Sequence, residues 1–320
     1  MLLEREVLFF GGKGGVGKTT LASAFALLAA EQGQRTLLVS TDPAHSTGDI
    51  LELDVGPEPR EVLPGLWAIE IDPVQEADRY IAEVKARIAD TTPPRLAAEV
   101  ERQIDIARVS PGAEEAALFE RFTRLMEEAG TRYDRLLFDT APLGHTLRLL
   151  SLPQQMATWM GGLIGRRRKM NALGRMWRRV AGAAAGDGPA PDDRVLAALE
   201  ERQARFERAR QVLTDARRSA FVLVATPERL PLLEAEKAVR TLDRYGIPVG
   251  AVFLNRVLPG GAAGEFVERR REREARHLDQ AATAFAAHPL FRIPLLDTDV
   301  HGLAALRRIV ASLPETERLA

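Results

Sequence analysis

The chain has 320 residues, 46% of them hydrophobic, and its formal net charge at pH 7 is -1. This length allows a large core in one or two domains. The near-neutral charge argues against a protein that coats nucleic acid, so no nucleic-acid partner is expected. The sequence contains no cysteine. Neither disulfides, Cys-ligated zinc nor an iron–sulfur cluster can therefore form, and no zinc or cluster cofactor is expected.

The sequence also lacks the usual signals for export and membrane insertion. The first six residues include two acids and no basic region, unlike a signal peptide. The longest uncharged stretch, residues 149–165, contains a proline and two glutamines, and it is shorter than the ~20 apolar residues that a spanning helix needs. We therefore expect a cytoplasmic protein.

Short apolar runs alternate with long helical patterns along the chain, which indicates a mostly parallel sheet covered by helices. Each run is nearly continuous in apolar residues, as expected for strands whose two faces are both buried. The predicted strands are Val7–Phe10, Thr36–Ser40, Leu66–Ile71, Arg135–Phe138, Phe221–Ala225 and Val249–Leu254.

A glycine-rich loop follows the first predicted strand and precedes a helix predicted over Thr19–Glu31. Its glycines let successive backbone N–H groups wrap a phosphate, Lys18 would reach the β- and γ-phosphates, and the Thr19 hydroxyl would bind Mg²⁺. ATP and Mg²⁺ are therefore the predicted cofactors. The fold class is predicted as α/β, a P-loop NTPase with a mostly parallel sheet flanked by helices. The loop and its expected nucleotide contacts comprise Gly12, Lys13, Gly14, Gly15, Val16, Gly17, Lys18, Thr19 and Thr20.

Two long stretches, 74–130 and 151–217, lack strand character and are rich in residues that favour helix. We interpret them as one α-helical subdomain that is formed by two insertions. The nucleotide-binding domain would then comprise residues 1–73, residues 131–150 and residues 218–320.

Two acids follow predicted strands, Asp42 after the second and Asp139 after the fourth. In a parallel sheet both would lie at the carboxyl edge, where ligands bind. An acid in that position can hold a magnesium-bound water or orient the attacking water. The alternative is a helix cap or turn residue.

Three motifs of the sequence resemble those of the arsenical-pump-driving and tail-anchored-protein-targeting ATPase family, which carries a deviant Walker A loop. Shorter matches extend the resemblance over most of the chain, among them Pro111 to Glu115, Thr226 to Glu228, Val252 to Arg256, and Pro294 to Leu296 followed by Val300 to Leu303. The three motifs are Lys13 to Thr20, Ser40-Thr41-Asp42-Pro43-Ala44-His45-Ser46, and Asp139-Thr140-Ala141-Pro142-Leu143-Gly144-His145-Thr146-Leu147-Arg148-Leu149-Leu150.

The resemblance implies roles for the charged residues of these motifs. Lys13 would cross a homodimer interface and act in the partner's site, as an arginine finger does; the alternative is a solvated surface lysine. Asp42 would polarise the hydrolytic water. Asp139 would act with Thr19 around Mg²⁺ and relay the nucleotide state to the helices. The catalytic set is thus Lys13, Lys18 and Asp42.

On the adenine side, the resemblance implies that Asn255 reads the base edge and that Arg256 and Pro294 belong to the same part of the site. His45 and His145 lie within the two switch motifs, where we favour a hydrogen-bonding brace over a catalytic role.

The absence of cysteine separates this chain from two branches of the family. Arsenite-transport members bind the metalloid through thiolates and are typically tandem duplications, whereas this chain has one P-loop and no thiol. Eukaryotic targeting members often clamp their dimer with zinc through Cys-x-x-Cys pairs, a clamp that cannot form here.

Residues 155–185 have the most unusual composition, with four of the six methionines and two of the three tryptophans. Methionine-rich faces adapt to many partners, and the corresponding insertion of the targeting factors forms a groove for a transmembrane client. The alternative is core of the helical subdomain, with the arginines on the solvated face. The candidate client-binding residues are Met156, Trp159, Met160, Leu163, Met170, Leu173, Met176 and Trp177.

Three functions follow from these features. The leading prediction is an ATP-driven homodimer that binds a hydrophobic transmembrane segment of a client, and that associates transiently with membranes. The second is an ATPase subunit that energises a membrane anion transporter of the arsenite type. The third is a positioning ATPase of the septum or partition type, although residues 303–320, the tail it would need as a membrane helix, are short and broken by Pro314.

Overall fold

The computed structural model describes residues 1–42, 46–89, 94–108, 112–140, 191–261 and 264–314. Within these ranges eight strands form one sheet in the order β3-β4-β2-β5-β1-β6-β7-β8. Neighbouring strands are parallel except for the β3–β4 pair. The strands are β1 Val7–Gly12, β2 Thr36–Ser40, β3 Arg60–Leu63, β4 Leu66–Glu70, β5 Arg135–Asp139, β6 Ser219–Ala225, β7 Val249–Val257 and β8 Leu290–Pro294.

Helices connect the strands and cover both faces of the sheet. In the described part of the chain they are α1 Lys18–Glu31, α2 Ser46–Leu51, α3 Pro73–Ala89, α4 Pro94–Arg108, α5 Ala113–Glu127, α6 Pro191–Thr214, α7 Arg229–Tyr245, α8 Glu265–Ala284 and α9 Gly302–Ala311. No helix in these ranges is long and apolar enough to cross a bilayer.

All six strands expected from the sequence are present, and the mostly parallel α/β architecture is confirmed. Two further strands, β3 and β8, lie at the two edges of the sheet. Both contain exposed positions, because an edge strand has a neighbour on one side only. They therefore lack the continuous apolar run that revealed the central strands.

The core divides into two layers, one on each face of the sheet. Successive side chains of a strand point to opposite faces, so Phe9 and Phe10 of β1 enter different layers. Phe9 stacks on Phe138 with ring centroids 4.7 Å apart. Phe10 packs against Phe25 of α1 at 5.5 Å. Helix α1 is buried along most of its length, which fixes the helix that begins at the phosphate loop.

Helices α3, α4, α5 and α6 occupy stretches expected to be helical. Helix α5 packs against the sheet through Phe119 and Phe122, and Phe206 of α6 joins the same core layer. The division into a nucleotide-binding domain and an inserted helical subdomain stays a prediction.

A buried ion cluster joins α5 to α6. Glu120 is 5% exposed, and its carboxylate lies 2.6 Å from Arg205, 3.4 Å from Arg202 and 3.6 Å from Arg124. A buried acid requires such partners, because an unpaired charge in the interior is costly. The cluster therefore fixes how the two helices pack.

Candidate nucleotide-binding site

The glycine-rich loop lies between β1 and α1, where Gly12 and Gly17 meet close neighbours. A Cβ on Gly12 would lie 2.2 Å from the carbonyl oxygen of Val224, and one on Gly17 would lie 2.2 Å from the amide nitrogen of Asn255. Gly17 also has a φ of +96°, a conformation that L side chains rarely adopt. Side chains at these two positions would thus push the loop away from the sheet.

Asn255, which lies in β7, braces the loop from the side. Its amide nitrogen donates a 2.8 Å hydrogen bond to the carbonyl of Val16, and its amide oxygen accepts one of 2.9 Å from the N–H of Arg256. The side chain amide carries a second N–H, and the base contact expected for Asn255 would use that group.

The three residues expected on the adenine side line one cavity together with Thr20 of the phosphate loop. Thr20, Asn255, Arg256 and Pro294 surround a volume of about 750 Å³, together with the segment that leads to α9. Residues from α1, β7 and β8 thus meet beside the phosphate loop. The cavity has room for a nucleobase and its ribose.

Lys18 and Asp42 form an ion pair inside the site. Lys18 opens α1 and is 3% exposed, and its ammonium lies 3.5 Å from a carboxylate oxygen of Asp42, whose side chain is 16% exposed. Asp42 follows β2, as the sequence predicted. The Asp42 carboxylate compensates the charge of the buried lysine.

Asp139 ends β5 directly beside this pair and is fully buried. Neither of its carboxylate oxygens accepts a hydrogen bond of good geometry from the described residues, although the Thr19 side chain is close enough to oppose the rise in the pKa of Asp139. Burial raises the pKa of Asp139 to about 7, with the carboxylates of Asp42 and Glu70 acting in the same direction and Thr19 and Lys18 opposing them. An orphaned buried carboxyl is costly and fits a site that receives a cation.

The hydroxyl of Thr19 lies 3.2 Å from the hydroxyl of Ser46, the first residue of α2. Hydroxyl and carboxylate oxygens are the hard donors that Mg²⁺ prefers, and this ion is usually held through one or two protein groups together with phosphates and water. Thr19 and Asp139 therefore fit the magnesium role expected for them. Within the described ranges, no group of three or more acidic or histidine side chains is arranged to hold a metal ion by itself.

Lys13 lies apart from Lys18, on the rim of a second cavity. This cavity has a volume of about 460 Å³ and is also lined by Gly14, Gly15 and Arg270. The Lys13 ammonium is 3.9 Å from Glu234, and the two side chains are 37% and 44% exposed. Within one chain, Lys13 thus faces solvent and an acid of α7.

Several expected residues lie outside the described part of the chain. They include His45, His145 and all eight candidate client-binding residues, Met156, Trp159, Met160, Leu163, Met170, Leu173, Met176 and Trp177. Their predicted roles stay predictions.

The structure brings to the site three residues for which no role was predicted: Ser46, the last residue of the motif that contains Asp42, beside Thr19; Glu234 beside Lys13; and Glu70, which contacts the start of α2. A signal existed for Glu70, because it is an acid at the end of an otherwise apolar strand, as Asp139 is. Glu234 is separated from Lys13 by more than 200 residues, and no local pattern predicts such a pair.

Comparison of the sequence with known proteins shows the family to which the chain belongs. The anion-transporting ATPase family matches residues 5–315. A putative arsenical pump-driving ATPase 2 of Aquifex aeolicus is 34% identical over 97% of this chain and 99% of its own length. ATPase ASNA1 homolog 1 of Paramecium tetraurelia is 29% identical over 96% of this chain and 92% of its own length.

The arsenical pump-driving ATPase of Escherichia coli is 33% identical over 96% of this chain, which spans 49% of that protein. The chain thus spans nearly all of some relatives and about half of others. The match over almost the whole sequence confirms the resemblance that the motifs indicated, and the protein belongs to the anion-transporting ATPase family and is an ATPase.

Proposed function

We propose that the protein is a homodimeric Mg-ATP-hydrolysing factor whose nucleotide-driven closure forms a hydrophobic site for membrane-protein clients such as tail-anchored proteins. The observation that carries the dimer is the position of Lys13. Its ammonium faces outward from the phosphate loop, 37% exposed and 3.9 Å from Glu234. A cation in this position can enter the site of a second copy and stabilise charge on the transferring phosphoryl group.

Within each subunit, Lys18 and Asp42 change partners when ATP binds. The γ-phosphate oxygens compete for the Lys18 ammonium, and the Asp42 carboxylate becomes available to accept a hydrogen bond from water. That water forms a bond to the γ-phosphorus as the bond to the β–γ bridging oxygen breaks. ADP leaves with the bonding electrons, and the water proton passes to phosphate or solvent.

Thr19 and Asp139 are the residues that would hold magnesium in this site. Bound Mg²⁺ would neutralise negative charge on the β- and γ-phosphate oxygens. Asp139, buried beside Thr19, would contribute an ionised carboxylate to the part of the site that holds the cation. Its position at the start of the second switch motif would let the helices respond to the nucleotide state.

The client part of the proposal rests on the composition of residues 155–185. Closure would unite two methionine-rich faces, and hydrolysis would separate them and release the client. Such a factor would work in the cytoplasm and associate transiently with membranes.

Turnover per subunit, measured over a range of protein concentrations, tests the dimer. Alongside sedimentation measurements, the rate should rise in parallel with the dimer fraction. Asp42→Asn should still bind ATP but hydrolyse it slowly, since the variant retains Lys18 and loses the carboxylate that orients water. Full activity from a verified monomer would contradict the proposal.

A second candidate is a subunit that energises a membrane anion transporter, and the family description favours it. The absence of cysteine weakens its arsenite form, because a soft As(III) centre needs thiolate ligands. Capture of bound polypeptides from cells with Asp42→Asn and ATP separates the two. C-terminal transmembrane segments would support client targeting, whereas one multispanning partner would support the transporter.

A further inference from the structure

Glu70 ends β4 at the same level as Asp139, with one strand between them. Ser40 of β2 is in register with Glu70 on one side and with Asp139 on the other. Glu70 is 8% exposed, although it ends an otherwise apolar strand. Burying a carboxylate there is costly unless it is hydrogen-bonded, so its contacts indicate what the residue does.

The carboxylate of Glu70 holds the start of α2. One oxygen accepts hydrogen bonds from the N–H groups of Thr47, at 3.0 Å, and Gly48, at 2.9 Å. The first N–H groups of a helix have no partner within the helix. A helix of six residues, such as α2, has little stability of its own, so contacts from the sheet decide where it sits.

The position of α2 matters for the site because its first residue reaches the magnesium side. Ser46 precedes Thr47 in the chain, and its hydroxyl lies 3.2 Å from the hydroxyl of Thr19. Glu70, α2 and Thr19 thus form a continuous series of contacts from the sheet to the residue expected to bind Mg²⁺.

We propose that Glu70 is a positioning residue for ATP hydrolysis, because its carboxylate fixes α2 in the position at which the Ser46 hydroxyl contacts the Thr19 hydroxyl. The inference concerns the ATPase reaction and is independent of the dimer and the client. It rests on the magnesium role given to Thr19 in the proposed function. Residues that orient metal ligands in this indirect way typically change activity or metal affinity about 10- to 100-fold when replaced.

Three substitutions at Glu70 separate position from charge. Gln keeps an oxygen that can accept both N–H groups but removes the charge. Asp keeps the charge but withdraws the oxygens by one methylene, about 1.5 Å. Ala removes both. A positioning role predicts that Glu70→Gln stays within about threefold of the wild-type kcat, whereas Glu70→Asp and Glu70→Ala lose about 10- to 100-fold.

The measurement is ATPase activity at saturating ATP as Mg²⁺ is titrated, with thermal unfolding of each variant as a check on folding. Glu70→Ala and Glu70→Asp should also raise the Mg²⁺ concentration at half-maximal rate, and Ser46→Ala should do the same. Adding Ser46→Ala to Glu70→Asp should cause little further loss, because both changes break one series of contacts.

A matched control is Glu76→Gln. Glu76 is also a buried acid, 7% exposed, but it lies in α3, where it pairs with Arg79. This variant should keep the wild-type Mg²⁺ dependence even if its Tm falls. If Glu70→Ala does not fold, the comparison of Glu70→Gln with Glu70→Asp carries the same test.

Three results would overturn the proposal: Glu70→Asp retaining wild-type kcat and Mg²⁺ dependence, Glu70→Gln being the more damaged of the two, or the losses from Glu70→Asp and Ser46→Ala multiplying. Thr19→Ala tests the magnesium assignment separately. If this variant keeps the wild-type Mg²⁺ dependence, that assignment fails, whereas a change at Thr19 with none at Glu70 contradicts only the positioning role.

Discussion

Asp139 should release a proton when Mg-nucleotide binds near neutral pH, and Asp139→Asn should abolish that release. Burial raises the pKa of this carboxyl from 3.8 to about 7, so about half of the nucleotide-free molecules carry its proton at pH 7. A divalent cation beside the carboxyl favours the charged form. Binding should therefore release roughly half a proton per site at pH 7, close to one at pH 6 and almost none at pH 8.5.

The raised pKa of Asp139 also predicts how the stability of the nucleotide-free protein changes with pH. Because the folded-state pKa lies above the unfolded-state value, this group stabilises the fold below about pH 4 and loses that contribution as the pH rises through 7. Between about pH 5.5 and pH 8.5 the loss is roughly 2 kcal/mol, from about 1.5 pKa units. Asp139→Asn should lack this pH-dependent loss.

Isothermal titration with preformed Mg-ADP, in two buffers of different ionisation enthalpy, measures the proton release. Because the complex is formed beforehand, most of the proton release that accompanies magnesium binding to the nucleotide is not measured. The release measured with Asp139→Asn is subtracted to correct for what remains. Urea unfolding at the two pH values measures the stability change. Equal proton release by the wild type and by Asp139→Asn would refute the assignment of the buried proton to Asp139.

Gly17→Ala should abolish ATP binding, because the new Cβ would lie 2.2 Å from the Asn255 amide nitrogen and the backbone φ is +96°. The control is Gly33→Ala: Gly33 also has a positive φ, +82°, but open space surrounds it, so this variant should lose stability and still bind ATP. Asn255→Ala should raise the Kd for ATP about tenfold in equilibrium titrations through loss of the bond to the loop. A Kd within twofold of the wild type would contradict this brace. Glu120→Gln should lower the free energy of unfolding by about 1–3 kcal/mol, because the arginines around it are 20–31% exposed and two of them keep other acidic partners. Glu207→Gln, at an exposed pair with Arg210, should cost less than about 1 kcal/mol; equal costs would contradict the structural role of the Glu120 cluster.

The centre of the fold could be predicted from sequence because its signals are local. The apolar run Val7–Phe10, the glycines after it and the helical pattern of Thr19–Glu31 predict a strand, a loop and a helix without reference to the rest of the chain. The structure extends the strand to Gly12 and begins the helix at Lys18. The prediction that Asp42 and Asp139 lie at the same edge of the sheet followed from one rule, that the carboxyl ends of parallel strands meet at one edge. Ser40 in register with Asp139 agrees with that rule.

The parts that escaped prediction depend on distant contacts. Strand β3 contains Arg60 and Glu61 and is partly exposed, so only its pairing with β4 identifies it. The Lys13–Glu234 pair joins segments far apart in sequence. Glu70 could have been found, since an acid within a buried run is anomalous, but its two bonds to α2 became visible only in three dimensions.

The central claim, that Lys13 completes the site of a second subunit, is tested most directly by mixing two inactive variants. Lys13→Ala keeps Asp42, and Asp42→Asn keeps Lys13, so a mixed dimer contains one site with both residues if Lys13 acts across the interface. After subunit exchange at equal concentrations, half of the dimers are mixed, and about a quarter of the wild-type activity should return.

The control replaces Asp42→Asn with the double variant Lys13→Ala/Asp42→Asn, which cannot donate the lysine and should restore nothing. Recovery of activity in the first mixture and not in the second is the result that a shared site predicts. A first mixture that stays at the average of its two parents, with mixed dimers demonstrated, would contradict the claim.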